Sequence, residues 1–183
     1  MEIVDNKMLI CFGTRPEYIK VKSIIDNFKN IKTCFTGQHK DLLKNVKVDY
    51  ELNMDEIISE NRLNNIICNI LKNTNIFTNI EKVLVQGDTT TALAIAISAF
   101  NNGIKIIHLE AGLRSNDLKD PYPEEANRQL ISRIADIHLC PTEFNKDNLL
   151  KENVKSQIYV TGNTGLDNIS KDGCEYRNQV LIT

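Results

Sequence analysis

No run of like charge stands out along the 183 residues, in which 22 basic and 24 acidic side chains give a formal net charge of −2. A chain so balanced has no electrostatic footprint for nucleic acid or for an anionic membrane surface. An anionic small ligand would have to be held by a few placed cations. No apolar stretch reaches bilayer-spanning length, and the opening Met1-Glu2-Ile3-Val4-Asp5 does not read as a secretory signal, so none is expected. The five cysteines are odd in number and form no C-x-x-C pair. Cys11, Cys34 and Cys140 sit in apolar runs and read as small hydrophobes, so a reducing, cytoplasmic setting without a metal site is expected. Internal repeats and low-complexity tracts are missing too. So are a G-x-G-x-x-G fingerprint, a P-loop and a nucleophile elbow, which disfavours a dinucleotide-dependent dehydrogenase.

What is present is ordinary globular material, 42% hydrophobic and 25% charged, long enough for one α/β domain with its own core. Strand-like and helix-like stretches alternate. Residues 7–12, 32–36, 82–86, 105–109, 137–140 and 157–160 read as buried strands. Helices are expected over 14–30, 41–46, 57–75, 89–102, 124–135 and 142–151, with a short one ending near 169. Thr14 and Glu17 have capping-box spacing around Pro16, and Gly103 sits where a helix C-cap glycine belongs. In the first helix, Ile19, Ile24, Ile25 and Phe28 are expected along one face. Strand followed by helix, repeated, implies a doubly wound parallel sheet of Rossmann-like α/β type. That domain is expected over 1–170. Residues 171–178 are polar and 179–183 (QVLIT) resemble the opening of another strand, so 171–183 reads as a linker leading into a second domain.

Open parallel sheets bind ligands at the carboxyl ends of their strands, and the chemistry-bearing residues gather there. Arg15 follows the first strand, His39 the second, Asp88 the third and Glu110 the fourth. Glu124 opens the helix after the long 111–123 loop, and Lys20, Arg114 and Arg128 add cations. Carboxylates on two sides of a substrate suit proton transfer, and cations beside helix N-termini suit phosphate. Each residue also has a plainer reading. Asp88 could be a helix N-cap, Glu124 and Glu125 could complement a helix dipole, Glu110 could pair with Arg114, Arg15 could be solvated and His39 could hold a loop.

The segments Gly13-Thr14-Arg15-Pro16-Glu17, Gly87-Asp88-Thr89-Thr90-Thr91, His108-Leu109-Glu110-Ala111-Gly112-Leu113-Arg114, Pro123-Glu124-Glu125-Ala126-Asn127-Arg128 and Thr161-Gly162-Asn163-Thr164 closely resemble motifs of the non-hydrolysing UDP-N-acetylglucosamine 2-epimerases. The similarity runs through essentially the whole chain, in order and at matching spacing. It implies the N-terminal half of a GT-B-like enzyme with two Rossmann-like domains and its active site in the cleft between them. The implied activity interconverts UDP-GlcNAc and UDP-ManNAc without a cofactor. Asp88, Glu110 and Glu124 are then the acid/base residues, and Arg15, Lys20, Arg114, Gln38 and His39 the substrate-binding ones. The resemblance further implies a homodimer and a C-terminal domain, beginning near residue 179, that supplies most uridine and diphosphate contacts; this chain alone is expected to lack activity. The family's activating-substrate site has two glutamines and an arginine. Here Gln38 matches the first, whereas Asp41 and Asn69 replace the others, so substrate activation is expected to be weak. The alternatives are an epimerase of another UDP-2-acetamido sugar and a non-catalytic sugar-nucleotide-binding or dimerisation module.

Overall fold

A computed structural model describes residues 7–37 and 46–168. Its elements run β1 (Met8–Phe12), α1 (Arg15–Asn27), β2 (Ile31–Phe35), β3 (Tyr50–Glu51), α2 (Arg62–Lys72), β4 (Lys82–Gln86), α3 (Thr90–Asn101), β5 (Lys105–Leu109), α4 (Glu124–Ile134), β6 (Ile137–Cys140), α5 (Glu143–Lys151) and β7 (Gln157–Val160). Short 3-10 turns occur at Thr74–Phe77 and Leu166–Asn168. The strands form one seven-stranded sheet in the order β3-β2-β1-β4-β5-β6-β7, and every pairing is parallel.

Strands covered on both faces carry continuous apolar runs, and alternate residues go to opposite sides. Leu9, Cys11, Val83, Val85 and Ile106 face a core built with Ile66 and Ile70 of α2, Leu93 to Ala99 of α3 and Ile131 of α4. Ile10, Phe12, Phe35 and Leu84 face the other way, against Val21, Ile24 and Ile25 of α1. Helix α3 is buried along nine of its twelve residues, and its alanines let it lie close between its neighbours. Thr14 and Glu17 form the expected capping box at the start of α1. Gly103 follows the α3 C-cap with φ of +69°.

Three expectations change. The sheet gains β3, a two-residue strand beside β2; nothing so short shows periodicity. The long helix expected over 57–75 is confined to α2, because Asn61 caps it through Leu63 and Asn64. Asn65 Oδ1 meanwhile accepts from the backbone of Ile58 and Ser59 and holds that stretch outside the helix. Helix α1 ends at Asn27, and Ile19 and Phe28 are 43% and 63% exposed; Ile24 and Ile25 pack on the core as expected, beside buried Val21. Cys11 and Cys34, far apart in sequence, are in-register neighbours on β1 and β2 with free, buried thiols. The helix expected over 41–46, apart from Val46, and the linker over 171–183 lie outside the described residues. No described helix is long and apolar enough to cross a membrane.

Candidate active site

Strand order reverses between β1 and β4, so the loops leaving these two neighbours diverge and open a crevice, the usual ligand position in such sheets. Glu17 ties the crevice together. Its Oε2 accepts from the backbone of Gly13 at 2.8 Å and Thr14 at 2.7 Å, while Oε1 accepts from Thr89 Oγ1 at 2.7 Å. Thr89 in turn caps α3 by accepting from Ala92 N at 3.0 Å. The N-cap is therefore Thr89, which releases Asp88 from the capping role its position allowed.

Glu110 lies one residue beyond β5 with φ of +63°, a left-handed conformation that a non-glycine residue holds only where its surroundings impose it. Both carboxylate oxygens are engaged. Lys20 Nζ, from α1, donates to Oε1 at 2.6 Å, and Gln86 Nε2, at the tip of β4, donates to Oε2. A shallow surface depression that encloses no volume lies beside this pair, lined by Lys20, Glu110, Pro141, Gly162, Asn163 and Thr164 among others. Neither Asp88 nor Glu124 lines it, so the site is an open wall rather than a closed sugar-sized chamber.

Helix α4 grips Asp88 at two points. Asn127 Nδ2 donates to the Asp88 backbone carbonyl at 2.7 Å. Arg128 donates to the side-chain Oδ2 through Nε at 2.8 Å, with Nη2 at 2.5 Å from the same oxygen; Asp88 Oδ1 accepts nothing from the described residues. Arg128 also reaches Glu125 at 3.1 Å. Glu125 is fully buried. Burial alone would raise its pKa, but hydrogen bonds from Gln129, Ser115 N–H, Arg128 and Asn116 N–H outweigh this and hold the carboxyl below its ordinary range. Glu124 stands one turn before Arg128, half-buried and without an ion pair among the described residues.

The other candidates divide. Arg15 is exposed at the start of α1, without an ion pair among the described residues. Arg114 is not on the rim; its side chain is 1% exposed and clamped by Glu152 at 2.6 Å (Nε to Oε1) and 3.0 Å (Nη2 to Oε2). Glu110 accordingly pairs with Lys20, not with Arg114. Gln38 and His39 lie outside the described residues. Beneath the rim, His108 Nε2 donates to the Gly87 carbonyl at 2.7 Å and sits edge-on to His138 at 6.1 Å. Burial depresses both imidazoles to about 4 and keeps them neutral, with charge repulsion from His108 adding to the effect on His138. The contributions of Gln86 and Glu125 had no sequence signature of their own, since one ends a strand and the other reads as a dipole-complementing acid.

A family model described as UDP-N-acetylglucosamine 2-epimerase matches residues 25–181. A Campylobacter jejuni UDP-N-acetylglucosamine 2-epimerase is 44% identical, over 88% of this chain and 45% of that protein. The solved Neisseria meningitidis UDP-GlcNAc 2-epimerase bound to UDP-GlcNAc superposes with a TM-score of 0.82 at 40% identity, covering 90% of this chain and 48% of that one. The Methanocaldococcus jannaschii UDP-GlcNAc 2-epimerase in complex with UDP-GlcNAc and UDP gives a TM-score of 0.76 at 30% identity, covering 92% and 51%. The chain thus spans about half the length of the curated relatives it matches.

Proposed function

This chain belongs to the UDP-N-acetylglucosamine 2-epimerase family, and on that premise we propose that it supplies one wall of an active site interconverting UDP-GlcNAc and UDP-ManNAc. The observation that carries the reading is the pair of carboxylates on adjoining strand tips, Asp88 and Glu110, each held by its own cation. The C2 hydrogen of such a sugar is not acidic, because no carbonyl adjoins it in the ring. Its removal becomes feasible when the C1–O bond to UDP breaks in the same elimination, leaving a 2-acetamidoglucal. Re-addition of UDP at C1, with a proton delivered to the other face of C2, inverts that centre.

Asp88, with Oδ1 unengaged, and Glu124, with no ion pair, are the groups able to take or return the C2 proton. Glu110 has both oxygens occupied, so it places negative charge beside the ring as positive charge develops at C1. Lys20 and Arg15 face the departing diphosphate. Water exclusion and the remaining diphosphate contacts require a second wall, which the half-length match and the open depression both favour. In this reading that wall is the C-terminal domain.

The test is C2 deuterium uptake from heavy water, followed by mass spectrometry of the UDP-sugar. It is run on this chain alone and on this chain with the C-terminal half of a relative such as the Neisseria meningitidis protein. Deuterium at C2 together with UDP-ManNAc, only in the second case, is the expected result. Epimerisation without solvent deuterium, or none with a folded, bound second half, overturns the proposal.

A further inference from the structure

Resting on that reading, we propose that Glu125 is a positioning residue: it touches no substrate and orients the Asp88 carboxylate through Arg128. A surface acid in a first helical turn needs no burial, yet Glu125 is 0% exposed. It accepts hydrogen bonds from Gln129 Nε2 at 2.9 Å, Arg128 Nη1 at 3.1 Å and the backbones of Ser115 at 3.0 Å and Asn116 at 3.4 Å. A carboxylate so placed remains in the interior only because its lone pairs are satisfied. Those partners come from its own helix and from the long rim loop, so its place is set from two directions.

Arg128 converts that placement into orientation. The guanidinium is a rigid planar fork, so pinning Nη1 on Glu125 decides where Nε and Nη2 point. They point at one oxygen, Asp88 Oδ2. Asn127 fixes the Asp88 backbone carbonyl, which leaves only the carboxylate's own rotation to be settled, and Arg128 settles it. Oδ1 is thereby left as the oxygen presented to the sugar. Without Glu125, the Arg128 fork loses its anchor on Nη1 and can sample other rotamers, and Asp88 with it.

Two measurements test this, one independent of activity. In this chain, the Arg128 Nε–H resonance is expected to be protected from solvent exchange in the wild type and to lose that protection in E125Q; unchanged protection in folded E125Q overturns the proposal. In the assembly that epimerises, E125Q should lower kcat by about 100-fold while KM stays near wild type, the signature of a misplaced reacting group. R128K should behave alike, and the double variant should be no worse than either single one, because both act along one path. Losses that multiply in the double variant, or near-normal kcat in R128K, also overturn it. R128K decides the kinetic question should E125Q fail to fold. An inactive wild-type assembly would sink the epimerase reading alone, since the resonance still reports on the positioning.

Discussion

Thr89 Oγ1 donates to Glu17 Oε1 at 2.7 Å across the point where the strand order turns back on itself. A single buried carboxylate thereby caps α1, orders the loop after β1 and meets the residue that caps α3. Both walls of the crevice hang on it.

Replacing Glu17 by alanine strands the Gly13 and Thr14 amides and the Thr89 hydroxyl. The expected cost is about 3 kcal/mol in urea unfolding, combining a lost cap with unsatisfied buried donors. Thr89→Val should cost about 1 kcal/mol, because only the hydroxyl is removed. Equal and negligible effects would show that the latch does not hold the fold.

Gly112 has φ of +86°, and a Cβ there would come within 2.2 Å of the Asn145 backbone oxygen. Asn148 Nδ2 also donates to the Gly112 carbonyl at 3.0 Å, so α5 is seated directly on this residue. Gly112→Ala should destabilise by about 3 kcal/mol or more, since neither the dihedral nor the backbone neighbour can give way cheaply. A melting temperature within a degree or so of wild type would contradict this contact.

His108 and His138 are held near 4 in the native state, against about 6.5 when unfolded. In the window between these values the unfolded chain binds protons that the native chain refuses. The stability this represents is whole above the unfolded value and is lost as pH falls through 6.5 toward 4. Each histidine should remove about 2 kcal/mol between pH 7 and pH 5. Denaturant midpoints across that range check it, and His138→Asn should flatten the slope.

Asp88→Asn keeps the size and the backbone clamp from Asn127 but cannot accept a proton. In the active assembly, turnover should fall by about 10²- to 10⁴-fold with the fold intact. Lys20→Met removes the cation from Glu110 and from the diphosphate side together, so both kcat and KM should worsen. Near-normal turnover in Asp88→Asn would retire its role.

Asn69 is 2% exposed, and its Nδ2 group donates both to the Glu56 carbonyl at 2.8 Å and to the Asn65 carbonyl at 2.9 Å. Its amide hydrogens are thus committed to holding the chain before α2, and the residue has no cation to offer an activating nucleotide. Hyperbolic dependence on UDP-GlcNAc is expected, with a reverse reaction that runs without added UDP-GlcNAc. A strict requirement for UDP-GlcNAc in the reverse direction would refute it.

The legible part of this molecule was local. Apolar runs of strand length, helices between them, the Thr14–Glu17 box and the glycine after α3 all follow from nearest-neighbour chemistry, and together they fix a doubly wound parallel sheet. The motif segments placed Asp88, Glu110 and Glu124 at strand ends or at a helix start for the same reason. Partnership was not legible. Glu110 pairs with Lys20, ninety positions away in sequence, and Arg114 withdraws from the rim to Glu152. Glu125, which reads in sequence as one more acid of a first turn, is the buried support of Arg128. Which of several like-charged candidates meets which counter-charge depends on loop paths and burial, and these emerge only when the strands are laid side by side. Sequence by itself determined the elements and the end of the sheet where the candidate residues gather; tertiary structure decided which carboxylates are tied up and which oxygen is left without a partner among the described residues.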